Sequence, residues 1–320
     1  MSILKFIKNW TLPIAIVAGA ASYIIYVNIH ALDSTHAVAS KIVSYIQPLF
    51  LFCMLFIAFC KVNPRDLKPK SWMLIPLGIQ ALSFVAMGAF IIFIPDIPGK
   101  VIIESAMLCM ICPTATAASV VTAKLHGNAS TVVSYTCLIN LVASLLIPAI
   151  VPLLHEAADP TMNFETSFLL IIGKVFPLLI LPLVTSWLVR HTLPLFHAIV
   201  QGQGNLAFYL WAVSLALAIA VTAKAIHHSN ESIWELAGIA VASLLCCIIQ
   251  FFFGRIVGVK NNDKIAGTQL LGQKNTVFII WAGYTFLNPV TAMAGGFYSV
   301  WHNVINSYQL WKARKSEEIK

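Results

Sequence analysis

Long apolar segments separated by short polar ones dominate this chain. Each apolar segment holds about 20 residues, the length of an α-helix that crosses the hydrocarbon core of a bilayer. The pattern predicts ten such spans, near residues 11–29, 40–60, 71–94, 100–125, 130–154, 166–189, 205–226, 233–257, 264–287 and 289–311. We therefore expect an all-α polytopic membrane protein in which residues 1–320 form a single transmembrane domain.

A polar, acidic loop at residues 155–166 divides the ten spans into two sets of five. Because five is an odd number, the two sets enter the membrane from opposite sides. This predicts two inverted five-helix repeats, the first at about 11–154 and the second at about 166–311. Transporters with this layout place their binding site where interrupted helices meet near the midplane of the bilayer.

Composition and charge agree with a membrane protein. Hydrophobic residues make up 59% of the chain, charged residues only 10%, and the mean hydropathy is +0.85, values outside the usual range of soluble domains. Most of the lysines and arginines fall in the segments that are cytoplasmic if the N-terminus is inside, whereas Lys41, Lys100 and Lys224 fall in outer segments. The positive-inside rule then predicts that both termini are cytoplasmic. We expect a plasma membrane location, or the inner membrane if the source is bacterial, and no binding of nucleic acid.

Two features of the sequence have alternative interpretations. Lys5 and Lys8 precede the first apolar segment, and small residues at 37–40 resemble a signal-peptide cleavage site. The segment is long for a signal peptide and a polar spacer follows it, so we expect it to be retained as the first helix. The seven cysteines fall within predicted spans, where they are expected to act as small apolar side chains. Cys109 and Cys112 form a C-x-x-C pair, but no second ligand pair indicates a metal site.

Polar residues interrupt the fourth span of each half. In the first half, Pro113 removes a backbone donor and disfavours helix at Cys112. In the second half the interruption is GTQLLGQKNT at 267–276. Unpaired backbone groups at this depth are tolerated only against protein or a water-filled cavity. The matched positions predict that spans 4 and 9 are discontinuous, cross each other and share a transport site. In the alternative interpretation, the hydroxyl groups bond their own helix and Pro113 makes a packing kink.

The candidate binding residues are the polar side chains of these spans and of their expected neighbours. In spans 4 and 9 they are Thr114, Thr116, Ser119, Gln273, Lys274, Asn275 and Thr276. Further candidates, of a type that more often makes interhelical hydrogen bonds, are Gln80, Thr136, Asn140, His302 and Asn303. The remaining histidines are expected mainly in solvated loops. Because no catalytic motif is visible, we expect neither enzyme activity nor a cofactor.

Lys274 is the most informative of these residues. It lies about 15 Å from either end of its predicted span at the rise of an α-helix, and a charged side chain at that depth costs roughly 3 kcal/mol. Only Glu104, about one turn inside the outer end of span 4, could reach inward, and no carboxylate is expected at the midplane to pair with Lys274. Three explanations could account for this buried lysine. The amine is neutral, backbone carbonyls at the helix breaks hold it, or an anionic ligand brings the counter-charge. The second and third can coexist.

The run CPTATAASVVTAKLHGN at 112–128 and the GQKNT motif at 272–276 resemble those of the bile acid:sodium symporter family, within the wider group of bile and arsenite permeases. The likeness extends over nearly the whole chain through the ten-span plan. It implies a core domain of spans three to five and eight to ten, a panel domain of spans one, two, six and seven, and alternating access between them. The expected cargo is an organic anion.

This sequence departs from the sodium-coupled members at their sodium ligands. The acidic residue two positions before the motif glycine is replaced by Leu270, and Lys274 stands where the family has a sodium-binding glutamine. The serine and asparagine after the first crossing correspond to Ala118 and Ser119, whereas Thr136 and Gln80 match the family.

These departures argue against sodium binding, because the Lys274 ammonium would take the place of a bound sodium ion. We therefore expect a sodium-independent transporter, or a proton-coupled one if Lys274 titrates during the cycle. The expected partners are a small organic anion, the surrounding lipid and, in the coupled version, a proton. The alternatives are a membrane-embedded receptor or sensor that binds an organic anion without translocating it, and an arsenite-type permease.

Overall fold

The computed structural model describes residues 11–63, 65, 67–155, 163–203, 206–229 and 232–318, and α-helices account for nearly all of them. The helices are α1 (Thr11–Asn28), α2 (His36–Cys60), α3 (Leu74–Phe93), α4 (Lys100–Ile111), α5 (Ala117–Lys124), α6 (Ala129–His155), α7 (Phe164–Thr192), α8 (Pro194–Gly202), α9 (Leu206–His227), α10 (Ile233–Lys260), α11 (Lys264–Gly272), α12 (Thr276–Phe286) and α13 (Met293–Glu318). Short 3₁₀ turns at His30–Thr35, Ser71–Met73 and Pro289–Ala292 precede α2, α3 and α13.

Six of the described helices are long and apolar enough to cross a membrane: α2, α3 with its preceding turn, α6, α7, α9 and α10. Large apolar side chains on their surfaces face outward; Leu82 is 71% exposed and Phe93 is 83% exposed. Apolar surface on this scale is stable against lipid rather than against water. The prediction of an all-α polytopic membrane protein is confirmed at this level.

The interruptions predicted in the fourth and ninth spans are present. The first lies between α4 and α5 at residues 112–116, and the second between α11 and α12 at residues 273–275. The four half-helices contain 12, 8, 9 and 11 residues. At 1.5 Å per residue none is longer than about 18 Å, whereas a hydrocarbon core is about 30 Å thick. Each half-helix therefore needs its partner to span that thickness.

Two parts of the sequence prediction need correction. The segment between the sixth and seventh spans was expected to be a loop, yet it contains α8, whose residues His197 and Val200 are buried. The last helix, predicted to end near residue 311, continues to Glu318 and is not among the six long apolar helices. Apolar runs reveal helices that cross lipid, but they do not reveal a short amphipathic helix or the polar continuation of a span.

Helices α10 and α11 approach each other unusually closely, and this contact positions the second broken helix. A Cβ atom placed on Gly267 would lie 2.5 Å from the Cα atom of Gly258 and 2.6 Å from the carbonyl oxygen of Gly254. Small residues four apart on one helix face allow backbones to pack at this range in membranes. The three glycines therefore hold α11 directly against α10.

A polar contact fixes the start of α11. The Nζ atom of Lys70, just before α3, lies 2.9 Å from Oδ2 of Asp263 and donates a 3.0 Å hydrogen bond to the hydroxyl of Thr131. Thr131, near the start of α6, donates in turn to the same Asp263 oxygen at 3.0 Å. The contact ties α3, α6 and α11 together at one end of the molecule.

Candidate functional site

The two helix breaks pair with each other through their backbones. Thr114 and Lys274 face each other as an antiparallel bridge. The amide of Ala115 donates to the carbonyl of Gln273, and the amide of Asn275 donates to the carbonyl of Pro113, both at 2.9 Å. A backbone group without a partner costs several kcal/mol in a hydrocarbon environment. Each break therefore supplies hydrogen-bond partners that the other one needs.

Polar side chains satisfy the carbonyl groups left over at the ends of α4 and α11. Gln80 of α3 donates from Nε2 to the carbonyls of Met110 and Cys112 at 2.8 and 3.1 Å. The Thr114 hydroxyl donates to the carbonyl of Leu270 at 2.5 Å. The last carbonyls of a helix have no partner within it, so these side chains stabilise the points at which the helices stop.

Two residues outside the predicted site, Gln250 and Tyr298, complete this network. Gln250 of α10 donates from Nε2 to the carbonyl of Cys109 at 3.1 Å and to the hydroxyl of Tyr298 at 3.0 Å. Tyr298 of α13 donates to the carbonyl of Gly272 at 2.9 Å. Gln250 could have been identified from the sequence, because it is a polar residue within the apolar eighth span, just as Gln80 is within the third.

The side chain of Lys274 is completely buried at the break between α11 and α12. Its Nζ atom has no hydrogen-bond partner among the described residues. The thiols of Cys109, Cys112, Cys246 and Cys247 lie close enough to interact with it electrostatically. The ion pair of Lys70 with Asp263 lies at the start of α11 and does not involve Lys274. Burial of Lys274 without a carboxylate partner is what its sequence context predicted.

A small cavity of about 40 Å³ adjoins the paired breaks. It is lined by Met54, Trp211 and residues 115–117, 273–277, 302 and 303. The structure thus brings together seven of the predicted site residues: Thr116, Gln273, Lys274, Asn275, Thr276, His302 and Asn303. About 10–15 Å³ of such volume is enough for one water molecule, so the cavity has room for a few waters and is far smaller than the 300–1,000 Å³ of sites for drug-sized ligands.

The other predicted site residues do not line this cavity. Thr114 and Gln80 bond the helix ends described above. The hydroxyl of Ser119 donates to the carbonyl of Thr116, and the hydroxyl of Thr136 donates to that of Val132 within its own helix. Asn140 donates to the carbonyl of Leu179 in α7 at 3.1 Å. For Ser119 the observed bond is the one that the alternative interpretation anticipated. Thr136 bonds its own helix and not a neighbouring one, whereas Asn140 makes the interhelical hydrogen bond expected of its residue type.

Two helix N-termini meet at the small cavity, those of α5 at Ala117 and of α12 at Thr276. The first amides of a helix lack intrahelical acceptors and carry a partial positive charge. In α12 the Asn275 side chain accepts a hydrogen bond from the amide of Phe278 at 3.3 Å. These amides, with the Lys274 amine beside them, create a local environment that favours negative charge.

The cysteines are all free, and no group of three or more His, Cys, Asp or Glu side chains in the described part of the chain is arranged to hold a metal ion. The C-x-x-C pair is part of the packing around Lys274, and the thiol of Cys112 donates to the carbonyl of Asn275 at 3.1 Å. Comparison of the chain with protein-family models and with curated proteins found no match.

Proposed function

We propose that this protein is a secondary active transporter of an organic anion that works by alternating access, as its resemblance to the bile acid:sodium symporter family implies. The observation that carries the proposal is the pairing of two broken helices around a buried lysine. Broken helices that meet inside a membrane protein expose backbone groups and helix ends to a solute, and transporters use them as binding sites. The N-termini of α5 and α12 would attract an anion to this position.

The proposed architecture has ten spans in two inverted repeats, α1 to α6 and α7 to α13, with each broken helix counted as one span and α8 as a surface helix. Similar packing of the third span in each half supports this architecture, because α3 packs against α4 and α10 packs against α11. In addition, α3 and α10 each contribute a glutamine that bonds carbonyls at the helix ends. The core domain would comprise α3 to α6 and α10 to α13, and the panel domain α1, α2, α7 and α9. Both termini would lie in the cytoplasm.

The walls of the small cavity explain how such a protein could alternate. Met54 of α2 and Trp211 of α9 belong to the proposed panel domain, whereas the remaining lining residues belong to the proposed core. At about 40 Å³ the cavity is closed to an organic anion. Separation of the two domains would open it by withdrawing Met54 and Trp211 from the helix breaks.

Lys274 defines the proposed coupling. A fixed ammonium in place of a sodium ligand would supply the positive charge that a bound sodium ion supplies in the resembling family. Transport is then sodium-independent, or proton-coupled if Lys274 releases its proton during the cycle. The absence of a hydrogen-bond partner for Nζ among the described residues supports the idea that its counter-charge arrives with the solute.

Uptake into proteoliposomes tests the proposal. Purified protein is reconstituted at fixed pH and voltage and supplied with radiolabelled carboxylates, sulfonates and sterol conjugates, with sodium or with potassium. We expect uptake of at least one anion that is equal in the two salts. Lys274→Gln should reduce that uptake at least tenfold, whereas Lys124→Gln, an exposed lysine at the end of α5, should leave it unchanged.

Three results would contradict the proposal in distinguishable ways. Uptake that requires sodium would refute the role given to Lys274, and so would full activity of Lys274→Gln. Saturable binding of an anion without any uptake would instead support the receptor or sensor alternative.

A further inference from the structure

The short helix α8 presents large apolar side chains to its surroundings. Leu195 is 83% exposed, Ile199 is 61% exposed and Phe196 is 48% exposed. Residues 195, 196 and 199 lie on one side of an α-helix, because 3.6 residues make one turn. The adjoining side is buried, where Val200 belongs to a cluster with residues of α2. Helix α8 therefore has one apolar side against the protein and a second one facing outward.

The preceding helix places α8 at a membrane surface. Helix α7 contains 29 residues and is about 43 Å long at the rise of an α-helix, whereas the hydrocarbon core is about 30 Å thick. Near its end lies Trp187, an exposed residue of the type that is enriched where lipid meets water. Leu193 then leaves the helical conformation before Pro194, and α8 begins. Its position corresponds to the headgroup layer.

Two cationic side chains lie beside α8. Lys61, just after α2, donates from Nζ to the carbonyl of Gln203 at the end of α8, at 3.3 Å. Arg190, in the last turn of α7, donates from Nη1 to the carbonyl of Val62 at 3.2 Å. Burial lowers the pKa of His197 in α8, and the Arg190 guanidinium adds to this effect. Arg190 therefore lies close to α8.

The stretches that build this surface carry no negative side chain. The sequence has no aspartate or glutamate at residues 34–65 or 166–230, which contain α2, α7, α8 and α9. The hydrogen bonds of Lys61 and Arg190 are to backbone carbonyls, which carry only partial charge. A lysine has three donors and an arginine five. Both side chains can therefore donate to an anion as well.

We propose that α8 and the adjoining ends of α2 and α7 form a binding site for an anionic phospholipid. Its phosphate would lie on Lys61 and Arg190, and its acyl chains against Leu195, Phe196 and Ile199. The apolar side chains of interfacial helices enter the boundary between headgroups and acyl chains in this way. Under the proposed topology the site faces the cytoplasmic leaflet, whose anionic lipids attract basic groups. The inference goes beyond the proposed function and does not depend on it.

The charges of the site disfavour two other occupants. A zwitterionic phospholipid carries an ammonium group that offsets the charge of its phosphate, so it gains little from two cations. A second copy of this chain could cover the apolar side of α8. In a two-fold symmetric dimer, however, the same patch of each copy would meet its equivalent, and the cations of both copies would be brought together. An anionic phospholipid satisfies the apolar and the charged part of the site at once.

Native mass spectrometry of the full-length protein tests this site. The protein in detergent is titrated with phosphatidylglycerol, or with phosphatidylcholine that has the same acyl chains. The first phosphatidylglycerol should bind at least about fivefold more tightly than the first phosphatidylcholine, because each basic residue near the headgroups contributes about that factor. Lys61→Gln should weaken phosphatidylglycerol binding about fivefold and leave phosphatidylcholine binding unchanged. Adding Arg190→Gln should weaken it further, and Lys61→Arg should keep it.

Lys260→Gln is the matched control, because Lys260 is an exposed lysine at the end of α10, which packs against α4 and α11 instead. It should leave the preference for phosphatidylglycerol unchanged. Leu195→Ser with Ile199→Ser changes only exposed side chains and should weaken the binding of both lipids.

Three results would overturn the assignment. The first is equal affinity of the wild type for the two lipids. The second is unchanged phosphatidylglycerol binding in the variant that combines Lys61→Gln with Arg190→Gln. The third is a dimer that Leu195→Ser with Ile199→Ser dissociates, which would identify this side of α8 as a contact between two copies of the chain.

Discussion

At the scale of single residues, Lys274 combines full burial with an amine that has no hydrogen-bond partner among the described residues. A buried polar group in that condition costs about 1–3 kcal/mol on mutational scales. Methionine is an unbranched apolar residue that adapts to buried space. We therefore expect Lys274→Met to raise the free energy of unfolding by about that amount. Thermal unfolding of the purified protein in detergent, with Lys124→Met as the exposed control, measures the change.

A loss of stability in Lys274→Met would mean that the amine makes contacts that stabilise the fold, and would contradict this account. A gain in stability together with a loss of uptake would have a different meaning. It would identify Lys274 as a residue that costs stability and is retained for function, a trade-off that is common at functional sites.

Residue chemistry explains which parts of the candidate site could be predicted. Pro113 and Lys274 are conspicuous in apolar spans, and both lie at the helix breaks. Ser119 and Thr136 were selected by the same reasoning, yet their hydroxyls bond carbonyls of their own helical segments. A hydroxyl in a membrane helix can always bond in this way, so its presence in a span does not show whether it faces a ligand.

At the scale of helices, hydropathy predicted where most spans begin and end, because lipid imposes both length and composition on a helix. The interruptions at 112–116 and 273–275 were predictable from residues that disturb a helix locally. That these two segments cross was expected from their matched positions in the two halves. Their backbone pairing was not predicted, because it joins residues more than 150 positions apart. Tyr298 was missed for a related reason: its hydroxyl becomes informative only when Gly272 is known to end a helix.

The close contact of α10 with α11 leads to a prediction about helix packing. A Cβ atom on Gly267 would meet backbone atoms of Gly254 and Gly258 at 2.5 to 2.6 Å, and backbone atoms cannot move aside as a flexible side chain can. We expect Gly267→Ala to destabilise the protein by about 1–3 kcal/mol, the usual cost of overpacking. Thermal unfolding in detergent provides the measurement.

Gly173→Ala in α7 is the control for this substitution, because no atom lies within 4 Å of the Cβ position. Alanine is the better helix former by about 1 kcal/mol, so this variant should be as stable as the wild type or slightly more stable. If Gly267→Ala were equally harmless, α10 and α11 would have to be further apart than the structure indicates.

At the scale of the whole molecule, two cavities lie where the proposed panel domain meets the proposed core: the small cavity at the helix breaks, and a second cavity of about 450 Å³ lined by α1, α2, α9 and the C-terminal half of α12. Residues of α2 and α9 form one wall of each cavity, and residues of α12 contribute to the opposite wall. Alternating access requires these walls to separate during each cycle. Contacts inside the core, such as the one between Lys70 and Asp263, should instead stay closed throughout transport.

Cross-linking distinguishes these two kinds of contact. Ser44 of α2 and Thr285 of α12 are exposed residues on opposite walls of the second cavity. In a background with the half-buried Cys53 and Cys137 replaced by alanine, Ser44→Cys with Thr285→Cys should lose uptake when treated with a short bismaleimide. The same reagent on Lys70→Cys with Asp263→Cys should leave uptake intact, because both residues belong to the core.

A monofunctional maleimide should affect neither pair, which excludes an effect of modification alone. Full uptake after cross-linking between α2 and α12 would mean that these helices move together, and alternating access between the proposed domains would then be wrong.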